Sequence, residues 1–407
     1  MSGASWYRSA TTRQWKVLAA AVFGWMLDGM DVMLYAFALT SIQREFGFSS
    51  AVAGGVASVT LLSSAIGGIM FGYLADRFGR TKALGIAILT YSIFTAATAT
   101  SHTLLELIVW RFLVGLGLGG EWASGAALVA EEWPAEHRGK AIGIVQSGWA
   151  IGYIAAALLA SVVIPGYGWR ALFVVGVAPA LLSAWIWRSL PESQVWHGAV
   201  RRERTPIRTI FVSPLLRSTL TATAVASALM FAYWGLFTWI PAYLASPRAA
   251  GGAGMSIVKS TSWIIPMQVG AFFGYTSFGF FADRFGRRPT FLVFVLCAAA
   301  CVPVYGLFAN SPEILLITGP LLGFFGHGYF SVFGALLAEL FPSGVRATAQ
   351  GLCYNAGRGI SALAPMTIGT IADRSGIGTA LACTSVFYIV GAALIYLLPE
   401  TKGRELR

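Results

Sequence analysis

Asp28 and Asp31 stand inside an apolar run from Val17 to Leu39, in the segment Trp25-Met26-Leu27-Asp28-Gly29-Met30-Asp31. Three residues apart, they fall on one face of a helix. A carboxylate near the middle of a membrane helix costs roughly 2.5 to 3.5 kcal/mol on insertion scales, so two of them need a cavity, a partner or a proton. Their expected chemistry is proton uptake and release as their access to water changes. Glu121, deep in another apolar run and without a basic neighbour in sequence, is the third candidate for this proton path.

Arg358 offers the complementary chemistry. It is a permanent cation deep in the second half of the chain, and its planar fork matches the two oxygens of a carboxylate with parallel charge-assisted hydrogen bonds. Substrate binding is the expected role, with a structural pairing to one of the acids as the alternative. Asn355, His327, Gln146, Tyr35 and Tyr233 are the other candidates for substrate contact. A lone histidine in such a run is more often a hydrogen-bonded packing residue. Gln268 is a weaker polar candidate. Arg111 is expected to pair with an acid or with backbone carbonyls and so to govern conformation, a proton relay being its alternative role.

The elements that must hold these groups are membrane helices. Of 407 residues, 57% are hydrophobic and only 11% charged, with a mean hydropathy of +0.70. That leaves too little polar surface to cover a soluble globule. Apolar runs between charged or Gly/Pro-rich breaks give twelve candidate spans, from 17–39 to 377–398, so the expected fold class is all-α with twelve transmembrane helices. Most Lys and Arg then fall on one side. Arg44, Arg170, Arg248, Lys259 and Arg374 fall on the other, and Arg111 and Arg358 lie within spans. This asymmetry predicts cytoplasmic N- and C-termini, and the net charge of +11 needs no nucleic-acid partner. No cleaved signal is expected, and Cys297, Cys301, Cys353 and Cys383 read as small core residues in apolar stretches.

An internal repeat divides the chain. Gly72-Tyr73-Leu74-Ala75-Asp76-Arg77-Phe78-Gly79-Arg80 returns as Gly279-Phe280-Phe281-Ala282-Asp283-Arg284-Phe285-Gly286-Arg287, and Leu190-Pro191-Glu192-Ser193 returns as Leu398-Pro399-Glu400-Thr401. The repeat predicts a bundle over 1–190, a cytoplasmic linker over 191–217 and a second bundle over 218–407, with a substrate site between them near the bilayer midplane. Adding the repeat offset to Asp28 and Asp31 reaches Gly235 and Thr238, so the second bundle cannot duplicate the proton site.

The two loops, the run Arg111-Phe112-Leu113-Val114-Gly115-Leu116-Gly117-Leu118-Gly119-Gly120 and the ending Pro399-Glu400-Thr401-Lys402-Gly403-Arg404 resemble signatures of the major facilitator superfamily. Asp28-Gly29-Met30-Asp31 resembles the proton-coupled aromatic-acid symporters, and Gly119-Gly120-Glu121-Trp122 the metabolite/proton and lactate/sialate branches. The resemblance implies a fold of two pseudo-symmetric six-helix bundles. It also implies that Asp76, Arg77, Arg80 and their echoes Asp283, Arg284 and Arg287 brace helices and are remade as the protein rocks. The glycines at 115, 117, 119 and 120 allow close approach of another helix, the first being the expected neighbour.

These features point to a monomeric proton-coupled symporter of a small organic anion, a monocarboxylate such as lactate or an aromatic acid, in a bacterial inner membrane. Its partners are that anion, protons and the lipid bilayer, and no cofactor or metal is expected. A sugar or polyol symporter is the alternative, since Pro191-Glu192-Ser193 and Pro399-Glu400-Thr401 resemble sugar-porter motifs, with a drug exporter behind it. An enzyme reading lacks a nucleophile and base, a metal-ligand cluster or a phosphate loop.

Overall fold

The computed structural model describes residues 10–133, 135–190, 192, 207–213, 215–308, 311–341 and 346–401. Most of the 191–217 linker lies outside these residues, as does the side chain of Asp76. The described chain is all-helical. In lipid no water can satisfy a free peptide group, and a helix pairs its backbone within one segment.

The first repeat forms α1 (Thr12–Phe46), α2 (Ser50–Phe78), α3 (Arg80–Thr98), α4 (Leu104–Glu132), α5 (Ala135–Val175) and α6 (Ala180–Ser189). The second forms α7 (Leu215–Phe237), α8 (Ile240–Ala245), α9 (Ile257–Phe285), α10 (Arg287–Leu307), α11 (Pro312–Gly328), α12 (Phe330–Glu339), α13 (Arg346–Ser361), α14 (Ala364–Ser375) and α15 (Ile377–Tyr396). Eight stretches among the described residues are long and apolar enough to cross a membrane. The expected spans 139–163 and 168–189 run together in α5 across a turn at Gly168, with φ 77°, after Pro165, and several expected spans are broken: short interruptions separate α5 from α6, α7 from α8, α11 from α12 and α13 from α14. Pro241 and Pro365 sit at the restart of α8 and α14, where the missing N–H of proline costs nothing.

Within the first repeat, α1 packs on α5, and α4 packs on α2 and α3; within the second, α9 packs on α11, and α10 and α7 on α15. The repeats meet where α2 faces α14 and α5 faces α9. The glycine run of α4 corrects one expectation. A Cβ on Gly115 or Gly119 would lie 2.2 Å from the Thr60 carbonyl oxygen and 1.9 Å from that of Ser64, while one on Gly117 would meet the Tyr91 backbone at 2.6 Å. The close neighbours are therefore α2 and α3, not α1.

The repeat also shows in three dimensions at the chain-terminus side. Gly79 and Gly286 carry the tight turns at φ 112° and 106°, open to glycine because it lacks a Cβ. After each turn a distant glutamate takes the first free N–H groups of the next helix. Glu192 Oε1 accepts from Arg80 N at 2.7 Å and Thr81 N at 3.1 Å. Glu400 accepts from Arg287 N and Arg288 N at 3.0 Å each. The Pro-Glu echo thus caps α3 and α10 with carboxylates.

Candidate functional site

The site lies between the repeats, where the broken helices leave space in an otherwise packed interior. One cavity is walled by Trp25, Trp149, Tyr233, Trp234, Tyr275 and Arg358, among others. A neighbouring cavity is lined by Tyr35, Thr60, Arg111, Trp234, Thr238 and Arg358, among others. Trp234 and Arg358 belong to both walls. The indoles form a chain across the repeats: Trp25 and Trp149 have ring centroids 5.0 Å apart, and Trp149 meets Trp234 edge-on at 5.8 Å. Such rings present broad apolar area with specific edge and face geometry to a planar ligand.

Two buried cations face these spaces. Arg358 is 3% exposed and Arg111 is 1% exposed. Nε of each, and Nη1 of Arg111, has no hydrogen-bond partner. Arg111 also lies 5.2 Å from the centroid of the Tyr35 ring, and the Tyr35 hydroxyl donates to the Ala53 carbonyl at 2.8 Å.

The acids stand behind the wall. Neither Asp28 nor Asp31 lines either cavity, and both are fully buried. Asp31 accepts a hydrogen bond from the Thr95 hydroxyl through Oδ1. Its Oδ2 lies 3.8 Å from Arg111 Nη1, an ion pair too long for a hydrogen bond. Both oxygens of Asp28 lack a hydrogen-bond partner, and the charges that act on it are those of Arg358 and Asp31. Glu121, also buried, is acted on by Asp28 and Arg358. The structure thus gathers all three proton-path candidates around the two arginines, an arrangement that one-dimensional spacing could not reveal.

The other sequence candidates separate. Gln146 reaches the aromatic cavity, where its Nε2 donates to the Phe330 carbonyl across the repeats at 3.1 Å and its Oε1 is left without a partner. Tyr233 is in the same wall. His327 lies one layer out: its ring packs on Tyr233, Phe237 and Tyr275, and Nδ1 donates to the Gly323 carbonyl at 3.2 Å. Asn355 is bound to its own helix through the Gly351 carbonyl at 3.0 Å and packs against Gly68 of α2. Neither His327 nor Asn355 lines either of these two cavities. Gln268 is fully buried and lines neither. Arg111, read from sequence as a conformational residue, is in the cavity wall beside Arg358.

The loop residues brace helices within each repeat. Arg80 Nε contacts Glu131 at 3.2 Å, and Arg287 contacts Asp283 at 2.6 Å and Glu339 at 3.4 Å. Arg77 is exposed and reaches the Tyr73 hydroxyl at 3.3 Å, and Arg284 lies 5.5 Å from the Phe285 ring centroid. Sequence reasoning missed Thr95, Trp25 and Tyr275. Thr95 carried no distinguishing signal, being one of several hydroxyls in its run beside Thr90, Ser92 and Thr98, and its partner is 64 residues away.

The family described as Major Facilitator Superfamily matches residues 21–275, and that described as Sugar (and other) transporter matches residues 201–407. The Cis,cis-muconate transport protein of Acinetobacter baylyi is 35% identical, with 93% of this chain and 91% of the relative aligned. The Niacin transporter NiaP of the same organism is 30% identical over 94% and 93% of the two chains. Among solved structures, an inward open conformation of the xylose transporter XylE from E. coli superposes with a TM-score of 0.76 at 20% identity, covering 97% of this chain and 98% of that one.

Proposed function

The chain belongs to the major facilitator superfamily and is an integral membrane transporter rather than an enzyme, and from that premise we propose that it is a proton-coupled symporter of a small organic anion. The observation that carries this reading is Arg358: a buried guanidinium with an unpartnered Nε, on the wall of both cavities and electrostatically linked to Asp28 and Glu121. An unfilled buried donor is costly, and a carboxylate supplies the acceptors it lacks. The indole walls suit an aromatic or conjugated body, and relatives named for muconate and niacin support that class.

In this reading Asp28, Asp31 and Glu121 carry protons, Arg358 and Gln146 hold the anion, and two six-helix bundles, over 1–190 and 218–407, rock about the site to alternate its access. Tyr35 and Tyr233 shape its walls, while His327 and Asn355 support them from behind. Asp76, Arg77, Arg80, Asp283, Arg284, Arg287 and their partners set conformation. The excess of Lys and Arg at the terminus side supports cytoplasmic termini in a bacterial inner membrane, with the transporter working as a monomer.

A sugar needs many hydrogen-bonding side chains around its hydroxyls, and the wall of indoles and phenols offers few, so the sugar reading is not preferred. The test is uptake into proteoliposomes under an imposed pH gradient, with benzoate, nicotinate, lactate, sialic acid and glucose as candidates. Acid-driven accumulation of a carboxylate is expected. Glucose uptake without carboxylate uptake would overturn the reading.

A further inference from the structure

Two guanidinium groups, not one, face the same cavity. Arg111 comes from the first repeat and Arg358 from the second, yet both line the one space that Tyr35 and Trp234 also wall. Both are buried, and three of their nitrogens have no hydrogen-bond partner. The nearest carboxylate to Arg111, that of Asp31, stops 3.8 Å away and spends one oxygen on Thr95. A monocarboxylate fills one fork and leaves the other with unfilled donors in a dry site, which is unfavourable.

We propose that the substrate is a small dicarboxylate, one carboxylate held by Arg358 and the other by Arg111, with its body against Trp234 and Tyr35, and that two protons accompany it. This rests on the symporter reading above. The proton number follows from charge balance. Arginine stays cationic, so among the described residues the centre holds two fixed positive charges against three acids, Asp28, Asp31 and Glu121. The phenols of Tyr35, Tyr91 and Tyr354 lie within reach of these charges, and those of Tyr233 and Tyr275 share the wall of Arg358. A buried net charge is costly in a low-dielectric interior. With the site empty, two ionised acids balance the two arginines and the third acid carries a proton. When a dianion takes over both arginines, those two acids must be protonated to restore balance. Each substrate carboxylate therefore enters with one proton, and no net charge moves.

The experiment uses the purified full chain in proteoliposomes, with trans,trans-muconate and sorbate as a matched pair. Sorbate has the same six-carbon diene with a methyl in place of one carboxylate. Cis,cis-muconate is a third probe. In the unaltered protein the diacid is expected to bind at least tenfold more tightly than sorbate. Proton flux should be two per diacid and one per sorbate, and an imposed potential should change neither uptake. In Arg111→Gln the preference should shrink to within threefold because the diacid weakens while sorbate binding persists. Sorbate bound as tightly as both diacids, or one proton per diacid, would overturn the dicarboxylate assignment while leaving the symporter reading intact. Absence of any acid-driven carboxylate uptake would instead overturn the symporter reading beneath it. Should Arg111→Gln fail to fold, the affinity ratio and proton count of the unaltered protein still decide.

Discussion

Asp373 Oδ1 accepts the backbone N–H of Ser50 at 2.8 Å, across the boundary between the two repeats. Its Oδ2 takes the N–H of Ala51 at the same distance. A carboxylate on the first turn of α2 satisfies free donors and meets the positive end of the helix dipole. Nearby, Gly54 of α2 lies so close to α14 that a Cβ would come 2.3 Å from the Pro365 carbonyl oxygen. This end, opposite the chain termini, is held closed, and Asp373 is one of its fastenings.

Neutralising that fastening should open the end it holds. Burial pushes the Asp373 carboxyl up, but the N–H groups of Ala51 and Ser50 outweigh it and hold the group below the usual carboxylate range. A lowered value in the closed state means that its contribution is fully present above the ordinary carboxylate range and is lost as pH falls through the lowered value. Asp373→Asn should therefore raise several-fold the labelling of a cysteine placed at Thr238 by an impermeant maleimide added from that side. The unsubstituted carboxylate should lose its effect only in acid. Equal labelling of both proteins at neutral pH would dismiss the fastening.

Asp28→Asn and Asp31→Asn should separate coupling from binding. An amide cannot release a proton, so accumulation under a pH gradient is expected to fall by at least tenfold while substrate exchange persists. Proton-driven accumulation at the original level in both variants would move the coupling site elsewhere, with Glu121 next to test.

Truncating Arg358 removes the charged fork from both cavities. Arg358→Gln should weaken carboxylate binding by roughly 30-fold or more, about 2 kcal/mol or above, as expected when one partner of a buried charge pair is lost. Tryptophan fluorescence titration reads this through the indoles of the wall. Unchanged affinity would remove Arg358 from the site.

Gly119→Ala tests the helix packing that carries the site. The added methyl meets the Ser64 backbone, which cannot rotate away. Forcing α2 from α4 should cost about 1 to 3 kcal/mol, read as a lowered Tm in detergent. Gly143→Ala, where a Cβ meets nothing within 4 Å, should leave Tm unchanged or slightly raised. Equal Tm values for the two variants would contradict the close packing.

Much of this molecule is local in origin. The apolar runs, the skew of Lys and Arg, the two Gly-Arg turns and the buried acids all follow from residue type along the chain, and membrane class and repeat are legible from them. The same is true of Arg358, because a permanent cation in an apolar run demands a partner. Tertiary structure decided the rest. It put Arg111 in the cavity wall, moved His327 and Asn355 behind it, turned the α4 glycines to α2 and α3, and gave Glu192 and Glu400 their caps. In a bilayer every helix is apolar on the lipid side and the core side alike, so hydropathy does not say which face meets which neighbour. That choice is made by close van der Waals fit and by hydrogen bonds between residues far apart in sequence, as with Asp31 and Thr95.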